Sequence, residues 1–184
     1  MIWDLPIAVE INGRQHPIRN KCDYRVVLDV ICALNDNELT DEEKVKCALF
    51  IFYEDISQID DFDMAIKEMF RIINGGEEQE ENQEQKPQLM DWQHDFPQLA
   101  PPISRVLGYD VRTPERFTHW YSFLGGYQEI GECVFSTLVS IRSKRMKGKK
   151  LEKWEQEFYQ EHRKMVELPR KLTAEEQEFL NSNW

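Results

Sequence analysis

His119–Tyr159 reads HWYSFLGGYQEIGECVFSTLVSIRSKRMKGKKLEKWEQEFY. It joins an aromatic segment, an apolar one, a basic run and an amphipathic stretch. Phe117, Trp120, Tyr121, Phe123, Leu124 and Tyr127 cover most of a helix circumference, so this helix needs cover on several sides. Gly125-Gly126 and Gly131 either end it or admit a close neighbour. Val134, Leu138 and Ile141 then recur at helical spacing. The basic run is Arg142, Lys144, Arg145, Lys147, Lys149 and Lys150. After it, Leu151, Trp154, Phe158 and Met165 make a short coiled-coil-like stripe, broken where Glu161 stands. These spacings predict that the second half of the chain is helical.

Upstream of this stretch lies LMDWQHDFPQLAPPISRVLGYDVR, residues 89–112. Trp92, Phe96, Leu99, Ile103 and Val106 keep near-helical spacing, but Pro97, Pro101 and Pro102 are expected to break or kink the helix. Gly108 closes it, and Thr113-Pro114 reads as the start of the next helix. Downstream, Thr173 and Glu176 form a capping box for a last short helix holding Phe179 and Leu180.

The first half has a different grammar. Ala8–Ile18 is AVEINGRQHPI, in which Asn12-Gly13 signals a β-hairpin. Asp23 opens a helix whose face is Val26, Val27, Val30, Ile31 and Leu34. Thr40 and Glu43 cap a second, faced by Val45, Ala48, Leu49, Phe52 and Ile56. Phe50, Ile51 and Tyr53 widen that face until the helix must be buried or covered by a partner. A third begins near Asp61, turns Phe62, Ala65, Ile66, Met69, Phe70 and Ile73 inward and closes at Gly75. GGEEQEENQEQKPQ, residues 75–88, has no apolar residue and reads as a linker, with a solvated helical extension as the competing reading. The expected fold is mainly α: a hairpin and three-helix region at 1–74, an acidic linker at 75–88, and an aromatic-rich helical region at 89–184.

The charge follows the same division. The 184 residues carry a net charge of −11, and residues 1–88 hold nine Lys and Arg against twenty Asp and Glu. Residues 89–184 hold fourteen of each sign. Nucleic-acid binding is disfavoured, because phosphate neutralisation needs a broad basic excess. Cys22, Cys32, Cys47 and Cys133 have neither zinc-ligand nor disulfide-framework spacing. MIWDLP is not the start of an export signal, and no window is apolar enough to span a bilayer.

Catalytic or metal-binding groups are sparse. Asp91, His94 and Asp95 would be the candidates, but acidic residues at a helix start have an ordinary reason to be there. No GxSxG, HExxH, P-loop or GxGxxG occurs. The chain is therefore expected not to be an enzyme and to need no cofactor. The basic run is read as a solvated helix end, or as docking onto the acidic half.

Five strings stand out as a set: MIWDLPIAVEINGRQHPIR, LMDWQHDFP, RVLGYDVR, HWYSFLGGYQEIGE and SIRSKRMKGKKLEKWEQEFY. Together they resemble a small protein family of long-tailed phages and prophages of Gram-positive bacteria, encoded just before the tape measure protein. That resemblance implies a tail assembly chaperone, which coats or solubilises the tape measure in the host cytoplasm. The alternative it leaves is a structural tail or head–tail connector component retained in the virion. Its implied partners are the tape measure, the tail tube protein and further copies of itself. The family offers no catalytic residue to carry over. An excess of aromatic surface places the expected partner contact on Trp120, Tyr121, Tyr127, Trp154 and Phe158.

Overall fold

A computed structural model describes residues 4–77 and 88–169. Most of the acidic linker, the capping box at Thr173, and Phe179 and Leu180 lie outside the described residues. The chain divides into two compact units. Among the described residues, the first holds 4–77 together with Phe117–Leu124, and the second holds 88–116 and 125–169. The short stretch 117–124, which the sequence assigns to the helical second region, thus belongs with the first unit.

The first unit begins with strands β1 (Ala8–Ile11) and β2 (Arg14–Pro17), paired antiparallel with Val9 opposite His16. Asn12 and Gly13 take φ of 50° and 77°, as the tight turn requires. Val9, Ile11 and Ile18 are buried. These are the only strands among the described residues, and the fold is mainly helical, as predicted.

Helix α1 (Tyr24–Leu34) is capped by Asp23, whose carboxylate accepts the Arg25 N–H. Helix α2 (Asp41–Phe52) has the expected capping box between Thr40 and Glu43. Its C-terminal carbonyls are met by Arg19, which donates to the backbone oxygens of Phe50, Ile51 and Tyr53. Helix α3 (Phe62–Ile73) is capped by Asp61 and ends on Gly75 and Gly76. Their N–H groups return to Ile72 and Arg71, the two bonds of a Schellman cap. Its buried face is Ala65, Met69 and Ile72, while Phe62, expected inside, is half exposed.

Two expectations are corrected in the remaining helices. The first concerns Thr113-Pro114, which starts nothing: helix α5 is Trp120–Gln128. The delay has a local cause in the first unit. Asn20, Lys21 and Cys22 all take positive φ and present Cys22–Tyr24 to residues 118–120. Tyr24 N–H donates to Thr118 O, Trp120 N–H to Cys22 O, and Thr118 N–H to the Asp23 carboxylate. Bonds of this extended kind leave Thr118 and His119 unable to join the helix. Tyr24 then stacks on Phe123 at 4.3 Å, and the Trp120 indole donates to Ile73 O.

The second correction concerns helix α4 (Trp92–Leu107) of the other unit, which runs unbroken through Pro97, Pro101 and Pro102. Each proline in a helix interior costs about 3 kcal/mol. Burial opposes that cost: Leu99, Ala100, Pro102 and Ile103 are all enclosed, and a buried Leu or Ile is worth about 1.5–3 kcal/mol. Gly108, with φ of 77°, ends the helix as expected.

The second unit is completed by α6 (Val134–Met146), α7 (Lys153–Glu161) and α8 (Arg163–Val166). Leu138, Ile141 and Val166 form its inner cluster, with Leu151, Phe158, Tyr159 and Met165 against it. Val134, expected in that seam, is exposed, and Phe135 is buried in its place. Gly126 lies where a Cβ would stand 3.2 Å from Ile103 and Leu107, so α5 approaches α4 closely there. No helix among the described residues is long and apolar enough to cross a membrane.

Candidate partner groove and the placement of the candidate residues

Helix α2 is apolar on more sides than the first unit covers. Ala48, Leu49 and Phe52 point into the core. Phe50 remains 62 % exposed, although its backbone is held by Arg19. On α3, Phe62 is 50 % exposed and Met64 is open as well. A short 3-10 turn, Ile56–Gln58, lies between the two helices. Together these elements enclose a groove of about 890 Å³. Val45, Phe50, Ile51, Ile56, Phe62 and Ile66 supply its apolar wall. Its charged lining consists of Glu42 and Lys46, bonded to each other at 2.6 Å. Lys46 holds the Glu42 carboxyl below its ordinary range, and Glu42 raises the Lys46 amine in return.

The five aromatic residues selected from the sequence are divided between the two units and differ in burial. Trp120 is 1 % exposed and is part of the first unit's core, so its ring is unavailable to a partner. Tyr121 is half-buried in the same unit, with its hydroxyl buried and unbonded. In the second unit, Tyr127 packs between Trp92 and Phe135 and donates its hydroxyl to the Met90 sulfur. Phe158 rests on the Leu138–Ile141–Val166 cluster. Trp154 is open at 52 % exposure, with its indole N–H given to Glu152.

Trp154 is open because the helix phase turns its neighbour inward. Glu155 is the buried residue of α7, and its carboxylate meets Lys144 at 2.6 Å. That amine, with the Glu152 N–H, holds the Glu155 carboxyl below its ordinary range. The basic run is thus partly consumed inside its own unit. Arg145 lies over the Tyr159 ring and beside Glu167. Arg142 is buried and spends all five of its donors: on both oxygens of Asp95 and on the backbone oxygens of Leu89, Met165 and Val166.

Asp91 and Asp95 consequently have structural work, and His94 contributes its backbone N–H. Asp91 accepts the His94 N–H as the cap of α4. Asp95 is fully buried against Arg142 and also accepts the Asp91 N–H. No group of three or more His, Cys, Asp and Glu fit for a metal occurs among the described residues. The four cysteines are free, and burial pushes the Cys22 thiol up to about 12.

The groove on α2 and α3 was foreshadowed by one signal, the widened apolar face of α2. The sequence reading drew from it that the helix must be buried or covered, without making it the partner contact. A family model described as Bacteriophage Gp15 protein matches residues 2–168. No curated protein and no solved structure matches the chain.

Proposed function

The chain belongs to the bacteriophage Gp15 protein family, and from that premise we propose that it is a tail assembly chaperone for the tape measure protein. In this reading it acts in the host cytoplasm, without catalysis, and is absent from the finished particle. It receives apolar helical segments of the tape measure and keeps them from aggregating until the tail tube forms around them. The observation that carries the reading is the groove of the first unit, where Phe50 and Phe62 stand exposed beside an apolar wall. Exposed apolar surface of this kind marks an interaction site, and a helix laid in a groove between two helices is a recurrent mode of recognition. Trp154 offers a second, smaller contact on the other unit.

The test is co-expression with the tape measure of the same phage. The soluble yield of tape measure should rise with the chain present and fall back with the Phe50→Ser variant. Phe50 is exposed, so this variant should fold. Mass spectrometry of purified virions then decides the class. Stoichiometric amounts of the chain in the particle would make it a structural tail or connector component instead.

A further inference from the structure

We infer that the groove selects an apolar helix flanked by lysine or arginine, an inference that rests on reading the groove as the partner site. Residues 36–63, which contain α2, the 3-10 turn and the start of α3, hold ten Asp and Glu against two Lys. Both lysines are already paired, Lys44 with Asp41 and Lys46 with Glu42. The carboxylates stand beside the lining residues along the chain. Glu42 itself lines the groove, Asp55 precedes Ile56, and Asp61 and Asp63 bracket Phe62. Nine of the ten acidic residues are exposed. An occupant with acidic flanks would bring like charges together, whereas a basic one would supply the missing partners. The occupant is helical because the walls are helices and a turn. A strand would need a free sheet edge, and β1 and β2 contribute no lining residue. Phe50 and Phe62 both line the groove, and a helix laid along it covers both.

The test uses the full chain and two synthetic helical peptides with the same apolar face. One carries lysine at the flanking positions, the other glutamate. Fluorescence anisotropy should show the lysine peptide binding at least about tenfold more tightly at low salt. The gap should shrink at about 0.5 M salt, where screening acts over only a few ångströms. Phe50→Ser should abolish the binding of both peptides. Equal affinities would overturn the charge selectivity and leave the groove as a partner site. Failure of both peptides, or binding unaffected by Phe50→Ser, would overturn the groove reading itself. Sedimentation velocity of the free chain tests the remaining occupant. A dimer that Phe50→Ser converts to monomer, and that neither peptide disrupts, would assign the groove to a second copy.

Discussion

Replacing Asp95 by Asn is the most searching perturbation of the second unit. The change keeps the shape of the side chain and removes one charge. Arg142 would remain 5 % exposed, with two of its donors facing an amide. Breaking a buried ion pair from one side typically costs about 3–5 kcal/mol, because the surviving charge has neither water nor a counter-ion. Three backbone oxygens, of Leu89, Met165 and Val166, would still take guanidinium donors. They place the expected loss at the lower end, about 3 kcal/mol. With a urea slope of roughly 2 kcal/mol/M, the unfolding midpoint should fall by about 1.5 M. The assay is equilibrium urea denaturation followed by tryptophan fluorescence and by circular dichroism. Arg142→Lys should lose a similar amount, since an ammonium cannot reproduce five donors in a fixed plane. A midpoint shift below about 0.3 M for Asp95→Asn, at an unchanged slope, would refute the claim that this pair ties α4 to α6 and α8.

Further outcomes follow from burial, close approach and protonation. Trp120→Ala should cost about 3–5 kcal/mol through the cavity it leaves, whereas Trp154→Ala should stay within about 0.5 kcal/mol; thermal unfolding of both variants checks this. Gly126→Ala should destabilise by about 1–3 kcal/mol, because its Cβ would press on Ile103 and Leu107. Gly125→Ala, which meets nothing within 4 Å, should instead stabilise by up to about 1 kcal/mol in the same denaturation assay. His119 accepts the Tyr121 N–H at Nδ1 and donates Nε2–H to the Pro6 carbonyl, so it is held neutral. Burial lowers its folded pKa below 6.5. Its contribution to stability is therefore full above 6.5 and is lost as pH falls through the folded value. Urea midpoints measured between about pH 7.5 and about pH 5 should fall toward acid, and His119→Gln should flatten that slope.

Local signals in the sequence carried most of the fold. The Asn12-Gly13 turn, the caps at Asp23, Thr40 and Asp61, and the closing Gly75 and Gly108 each act within a few residues. Such signals need no knowledge of the partner elements. The failures have the opposite character. Thr113-Pro114 is a sound helix start by local chemistry. It is overridden by hydrogen bonds to Cys22, Asp23 and Tyr24, more than ninety residues away in sequence. The prolines of α4 are correctly read as costly, and burial of Leu99, Ala100, Pro102 and Ile103 offsets part of that cost.

The candidate surface shows the same division more sharply. Aromatic excess says that rings need cover, not where the cover comes from. Trp120 finds it in Phe123 and Ile73 of its own unit, and Tyr127 finds it in Trp92 and Phe135. Phe50 has the Arg19 guanidinium 5.6 Å from its ring and stays open. In α2 the apolar residues outnumber the core positions available, so the surplus is a property of that helix and can be seen before folding is considered. In α7 the exposure of Trp154 depends on a part-buried ion pair, Lys144 with Glu155, whose partners are eleven residues apart on different helices. A stripe of apolar spacing gives no warning that a carboxylate will take the inward position. Unpartnered apolar surface is therefore legible where one helix carries too much of it, and hidden where a polar pair decides which way the helix turns.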